Sequence, residues 1–518
     1  MIKTTFKNYY HYFLLLGIII LGAYLRLHHI GARPFWLDEA DSVNSIKFNF
    51  SELWSKILAR GLSAGYIYVI KIWSYFFGDS EIAIRSLSTL AGILSIIVIY
   101  KLLSKIFNNK KAAVLASFLL AVNYFSIFYS IQARQYSLVI LLSLLSSYFL
   151  LNIFLNSNKR TDIFLYIVFT TIGIYFHHWF ILLFISQILF TIFYFRFSKL
   201  EIFLWQIIIG ILTTPWLIAL FKMRNSGLNA WIPPVNFKTP FLTFQYFLYG
   251  SGLVFIIIIF ILLAASYFRK KRITTLFVDI NQPFLKLDWK ILFLANSLFF
   301  PIFSAWIVSY FMTPIYVIGR YEAVSLPFLL ILIALFFSKL SKPMIIISVL
   351  ILSFLSYNQV KIEAETIANY KTNDRKIAQE LLKKIDNGDI VLFTDISRPP
   401  FDYYLPRQNK ENKKFLTISF PKEMEEHPAA KDIKGMLKRK EKYIEESKSL
   451  IDNIKTSQAK NVWVIYAFGN PINEILLADL NKNFKLIEEI YPNDLEDTTS
   501  PIAPFHFHVI LKYQVEHY

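Results

Sequence analysis

Four polar clusters stand out from an otherwise apolar chain. Asp38 and Glu39 lie side by side in RPFWLDEADS, next to Trp36. Arg134 precedes Tyr136 in YSIQARQYSL, His177 and His178 are adjacent in YFHHWF, and Arg320 and Tyr321 open GRYEAVSLP. An arginine offers a planar fork of donors with a permanent charge, which suits a phosphate. A carboxylate suits removal of a proton from a hydroxyl. Together they fit attack by an acceptor hydroxyl on a phosphate-activated group. Phosphate is already a good leaving group, so the main need is cationic stabilisation of the charge that develops on it. Each cluster also has a plainer explanation. A span-end Arg can snorkel to headgroups, a His pair beside Trp179 can form part of an interface belt, and two acids can sit in a solvated loop.

What must position these residues is a membrane protein. Of 518 residues, 55% are hydrophobic and 17% charged, with 50 Phe and 30 Tyr; a soluble chain is about 25% charged. Apolar runs long enough to cross a bilayer fall at roughly 11–28, 84–103, 111–128, 134–155, 161–177, 178–196, 202–221, 242–267, 290–312, 319–338 and 343–357. The fold class expected is a polytopic α-helical membrane protein with about eleven spans. The run AGYIYVIKIWSYFF (64–77) is short and carries Lys71, and reads as interfacial or re-entrant. With the N-terminus inside, the cytoplasmic loops hold eighteen Lys and Arg against five in the short outer loops. That bias sets an N-in, C-out topology and brings all four clusters to the outer face. It also accounts for the net charge of +18 without nucleic acid. The absence of Cys excludes thiolate chemistry, disulfides and Cys-ligated zinc.

Two domains follow. Residues 1–357 form the membrane part, with a first outer loop at about 29–83. In that loop Ile46, Phe50, Leu53, Trp54, Ile57 and Leu58 share one helical face, as in a helix lying on the membrane surface. Residues 358–518 alternate β-like runs (DIVLFTD, FLTIS, NVWVIYAFG, FHFHVILKY) with helical ones (NDRKIAQELLKKIDNG, KEKYIEESKSLIDNIK). This pattern predicts an extracytoplasmic α/β domain with a mostly parallel sheet. No Gly-rich phosphate loop points to nucleotide binding.

In this order and spacing the motifs resemble the integral-membrane glycosyltransferases of the GT-C class. Within it they are similar to the protein-mannosyltransferase and aminoarabinose-transferase superfamily (family 39/83-like). ARPFWLDEADSV is similar to the family's first outer-loop motif. KIWSYFFGDSEIAIRSLSTL carries Gly78, Glu81 and Arg85, and is followed by the Arg-x-Tyr segment, IYFHHWFILLF, TPWL and GRYEAVSLPFLL. The resemblance implies a GT-C fold in a bacterial plasma membrane and a polyprenyl-phosphate-linked sugar as donor. The acceptor hydroxyl would be extracytoplasmic, on a lipid, glycan or protein, and the displacement inverting. It implies Asp38 as catalytic base with Glu39 in support. Arg134 and Arg320 would lie on the lipid phosphate, with Tyr136, His177, His178 and Tyr321 completing the donor site. Some relatives bind a divalent metal. The His pair and Glu39 are candidate ligands, and no metal is assigned. The chain departs from the family where many relatives carry a His-Pro-Pro-like element: here the sequence reads ARGLSAGYIYVIKIW. The runner-up reading is a transporter or flippase of a lipid or lipid-linked saccharide. Such proteins favour internal repeats and midplane polar residues, whereas this sequence shows no repeat and places its charges at one surface.

Overall fold

In the computed structural model, residues 2–28, 30–155, 159–195, 200–223, 231–248, 288–368, 374–425, 433–467, 470–490 and 508–515 are described. The chain divides into two compact units: Met1–Ile30, Ser63–Leu220 and Ile232–Ile362; and Gly31–Leu62, Phe221–Trp231 and Glu363–Tyr518.

The first unit is helical. Helix α1 (Ile2–Leu27) is followed by α2 (Leu37–Ser45) and α3 (Phe50–Arg60), which belong to the second unit. The first unit resumes with α4 (Ala64–Phe77), α5 (Glu81–Ile106), α6 (Lys110–Val122), α7 (Tyr124–Ser130), α8 (Tyr136–Phe154), α9 (Arg160–Phe176) and α10 (Trp179–Phe195). Then come α11 (Leu200–Met223), α12 (Thr239–Phe247), α13 (Trp289–Phe311), α14 (Leu326–Phe337) and α15 (Lys342–Ala368). Among the described residues, six stretches are long and apolar enough to cross a membrane: Tyr9–Leu27, Glu81–Ile106, Tyr136–Phe154, Glu201–Met223, Trp289–Phe311 and Lys342–Gln359. The bent pair α6–α7 would make a seventh. The expected spans at 161–177, 178–196 and 319–338 correspond to the shorter helices α9, α10 and α14. Most of the expected span 242–267 lies outside the described residues. Helix α4 has 14 residues, about 21 Å at 1.5 Å per residue, and is too short to cross alone. Large apolar side chains such as Phe13, Ile211, Phe221, Leu350 and Phe354 stay exposed, as suits contact with hydrocarbon.

Polar side chains bind the helices where lipid offers no hydrophobic drive. Ser146 Oγ lies 2.8 Å from Thr170 Oγ1, and Gln187 bonds both Ser146 (3.0 Å) and Tyr166 (3.1 Å), linking α8, α9 and α10. A Cβ on Gly173 would meet the Phe180 ring at 2.4 Å, so glycine permits this close approach. The 57° bend between α6 and α7 has a local cause. Asn123 turns extended (ψ 121°), and its side chain accepts from the Ser126 amide at 2.9 Å, restarting the helix as an N-cap.

The second unit contains a five-stranded sheet ordered β2-β1-β3-β5-β4. Its strands are β1 (Ile390–Thr394), β2 (Leu416–Phe420), β3 (Asn461–Ala467), β4 (Lys485–Ile490) and β5 (His508–Gln514). Its further helices are α16 (Asp374–Lys384), α17 (Arg398–Gln408), α18 (Ile433–Lys438), α19 (Lys440–Thr456) and α20 (Pro471–Asn483). Strand β1 pairs in parallel with β2 and β3, while β5 pairs antiparallel with both β3 and β4. The sheet is therefore mixed, where a mostly parallel one was expected, because β5 enters antiparallel between β3 and β4. Every residue of β1 is buried, with Val462, Val464, Leu476 and Leu480 around it.

Asp389, fully buried, accepts from Trp463 Nε1 (2.8 Å) and from the backbone amides of Asn461 (3.2 Å) and Asp386 (3.1 Å). Removing it strands a buried indole N–H, so Asp389→Ala is expected to cost about 2–4 kcal/mol. Thermal unfolding of the purified protein, followed by tryptophan fluorescence, checks this; an unchanged midpoint would refute it.

Within this unit, α2 is seated on α17. The Phe35 amide donates to Tyr404 Oη (2.7 Å), Asn44 Nδ2 to the Pro399 carbonyl (2.8 Å) and Lys47 Nζ to the Asp402 carbonyl (3.2 Å). On α3, Leu53 and Ile57 are fully buried and Arg60 pairs with Asp41 at 2.8 Å. Part of the amphipathic face that the sequence assigned to the membrane surface is thus occupied by protein packing, while Phe50 stays exposed.

Candidate functional site

Three of the four sequence clusters meet in the first unit. Tyr136 opens α8, His177 and His178 form the turn between α9 and α10, and Tyr321 begins a short 3-10 helix (Tyr321–Val324) ahead of α14. Their ring centroids are 5.7 Å apart for Tyr136–His177, 4.7 Å for His177–Tyr321, 5.0 Å for His178–Tyr321 and 6.4 Å for Tyr136–Tyr321. Tyr129, near the end of α7, packs its ring tilted at 59° against Tyr136, 4.6 Å between centroids. The result is an aromatic floor built from the ends of α7, α8, α9, α10 and the short 3-10 helix.

Arg134 and Arg320 stand on the loops that border this floor, each partly exposed. Arg134 follows α7, its carbonyl accepting from Ser88 Oγ at 3.0 Å. It acts electrostatically on His177, and Arg320 on Tyr129. His177 lies in the turn, outside both helices. Burial above all, with His178 and Arg134 nearby, holds its imidazole well below the ordinary histidine range and so neutral. Its Nδ1 accepts from the Trp179 amide at 3.2 Å, which leaves Nε2 to carry the proton. A neutral imidazole contributes a directed hydrogen bond, and the arginines carry the positive charge.

The Arg320 loop is held from several sides. Glu322 is fully buried, and its carboxylate accepts from the amides of Gly319 (2.5 Å) and Arg320 (3.2 Å) and from Thr243 Oγ1 (3.4 Å). Thr243 also bonds Tyr316 Oη at 2.6 Å, and Tyr129 Oη donates to the Gly319 carbonyl. Trp179 Nε1 donates to the Ile315 carbonyl at 2.9 Å. Gly319 takes φ +78°, a conformation strained for other residues. Sequence reasoning passed over Tyr129, Thr243, Tyr316 and Glu322. One signal was present: a glycine followed three residues later by an acid, the spacing that lets a side chain cap the turn's own amides.

Asp38 and Glu39 belong to the second unit, in the first turn of α2, where acids suit the positive end of the helix. The structure separates them. Glu39 is buried, and its carboxylate reaches back to accept from the Trp36 amide at 3.3 Å. Asp38 is partly exposed. Among the described residues, no group of three or more His, Asp or Glu side chains gathers so as to hold a metal.

The family described as dolichyl-phosphate-mannose-protein mannosyltransferase matches residues 64–220. No curated protein sequence matches the chain. Among solved structures, ArnT from Cupriavidus metallidurans bound to undecaprenyl phosphate superposes with a TM-score of 0.59 at 12% identity, over 96% of this chain and 97% of the other. Its apo form gives 0.57 at the same identity and coverage. The oligosaccharyltransferase AglB from Archaeoglobus fulgidus, in complex with an inhibitory peptide and a dolichol-phosphate, gives 0.46 at 12% identity over 89% of this chain and 70% of the other.

Proposed function

We propose that this multi-pass membrane protein, which has the GT-C fold and resembles the protein-mannosyltransferase and aminoarabinose-transferase superfamily, transfers a sugar from a polyprenyl-phosphate-linked donor to an extracytoplasmic acceptor hydroxyl. The observation that carries this reading is the meeting of the Arg134, His177–His178 and Arg320 motifs around one aromatic floor. Two permanent cations beside tyrosine and neutral imidazole suit a phosphate joined to a sugar.

In the proposed reaction the acceptor oxygen attacks the anomeric carbon and its proton passes to Asp38. The bond from that carbon to the phosphate oxygen breaks, and the electron pair leaves on the phosphate. Arg134 and Arg320 stabilise the charge gained there. Attack opposite the leaving group inverts the anomeric centre. Tyr136, His177, His178 and Tyr321 hold the donor, and Glu39 holds the start of α2. The topology goes with it: an N-terminus inside, about eleven crossings, and the second unit on the outer face.

Asp38→Asn should bind donor without consuming it, so mass spectrometry of lipids co-purifying with this variant is expected to find a polyprenyl-phosphate sugar. Its absence from that variant and from the unsubstituted protein, after extraction from cells that make such lipids, would count against the donor class.

A further inference from the structure

Arg26, the penultimate residue of α1, is wholly buried. A guanidinium inside a span is costly unless its donors are met. Here they are. Nε donates to Ser130 Oγ (3.1 Å), one terminal nitrogen to the carbonyls of Gly22 (3.0 Å) and Ala121 (2.9 Å), and the other to the Leu120 carbonyl (3.1 Å) and Ser126 Oγ (3.0 Å). All these acceptors are neutral. Leu120 and Ala121 belong to the last turn of α6, whose carbonyls the bend at Asn123 deprives of helical partners and which form the negative end of that helix. The guanidinium therefore takes the place of the missing helical turn and, through Ser126 and Ser130, fixes the direction of α7.

The contacts continue from Ser130 to the Arg134 loop. Ser130 Oγ lies 3.2 Å from Ser137 Oγ at the start of α8. Ser137 donates to the Ser88 carbonyl (2.8 Å), Ser88 Oγ to the Arg134 carbonyl (3.0 Å), and Thr89 Oγ1 to the Ser130 carbonyl (2.8 Å). Gly92 on α5 leaves the room: a Cβ there would fall 2.2 Å from Ser130 Oγ and 2.9 Å from Arg26 Nε.

We propose that Arg26 is a positioning residue for the donor-phosphate site. It locks the broken α6–α7 pair so that the serine relay holds the Arg134 loop in its phosphate-binding conformation. This rests on the phosphate role proposed for Arg134.

The test uses the full chain in nanodiscs, with Arg26→Lys, Arg26→Gln, Ser88→Ala and Arg134→Ala compared for melting temperature, donor KM, kcat and affinity for undecaprenyl phosphate. Ser88→Ala and Arg26→Lys are expected to raise donor KM about tenfold and to lower kcat with it, and Arg26→Gln to do both further. A purely structural Arg26 would lower the melting temperature while KM in the folded fraction stayed unchanged, and that result would overturn the proposal. If the Arg26 variants fail to fold, Ser88→Ala decides alone, since it removes one hydroxyl at the far end of the relay. Unchanged affinity in Arg134→Ala would sink the phosphate reading instead, whatever Arg26 does.

Discussion

Asp38→Asn is expected to lower transfer by about 10²–10⁴-fold, the range a positioned general base supplies, while leaving the protein folded and membrane-inserted. The amide matches the carboxylate in shape and keeps an oxygen acceptor, but it cannot take the acceptor's proton. The fall should lie in kcat, with donor binding intact. Glu39→Gln is the internal contrast. The Glu39 carboxylate accepts from the Trp36 amide at 3.3 Å, and a glutamine oxygen can accept the same bond, so its loss should stay within about tenfold. Turnover measured on size-exclusion-purified variants checks both. Near-unchanged turnover in Asp38→Asn would remove Asp38 from the mechanism. A larger loss in Glu39→Gln than in Asp38→Asn would exchange the two roles.

The polar motifs were legible in the sequence because ionisable residues are rare in so apolar a chain, and each needs a reason to be there. Tyr136, His177, His178 and Tyr321, drawn from three separate motifs, have their rings in contact. The chain's own alternation of strand and helix marked β1, β2, β3 and β5. Strand β4 was missed because KLIEEI follows a helix directly and mixes its charges as a helix would; only the pairing with β5 makes it a strand. The α6–α7 bend was hidden because Asn123 is the single amide side chain in an apolar run whose other interior polar groups are hydroxyls. Glu322 was overlooked because its partners are mostly backbone amides, which no residue pattern displays. The grouping of α2 and α3 with the second unit could not be read at all. Sequence adjacency ties a loop to the span before it, whereas the Phe35–Tyr404 and Asn44–Pro399 bonds reach across more than 350 positions.

Arg320→Ala and Arg134→Ala are each expected to weaken donor binding by about 2–5 kcal/mol, the loss typical when one partner of a buried charge pair is truncated. The loss should appear with a polyprenyl phosphate lacking the sugar, because the contact is to the phosphate. Lysine should restore only part of it: the charge returns but the planar fork does not. Arg320 sits on a turn capped by Glu322 and tied to Tyr129, Thr243 and Tyr316. Glu322→Gln should therefore reproduce a fraction of the Arg320→Ala defect, because a glutamine side chain places an N–H donor where one carboxylate oxygen now accepts. Equilibrium binding of polyprenyl phosphate to each variant measures these effects. Wild-type affinity in both alanine variants would remove the arginines from the phosphate. Weakened binding with sugar transfer retained at saturating donor would place them in ground-state binding, rather than in stabilising the charge as the glycosidic bond breaks.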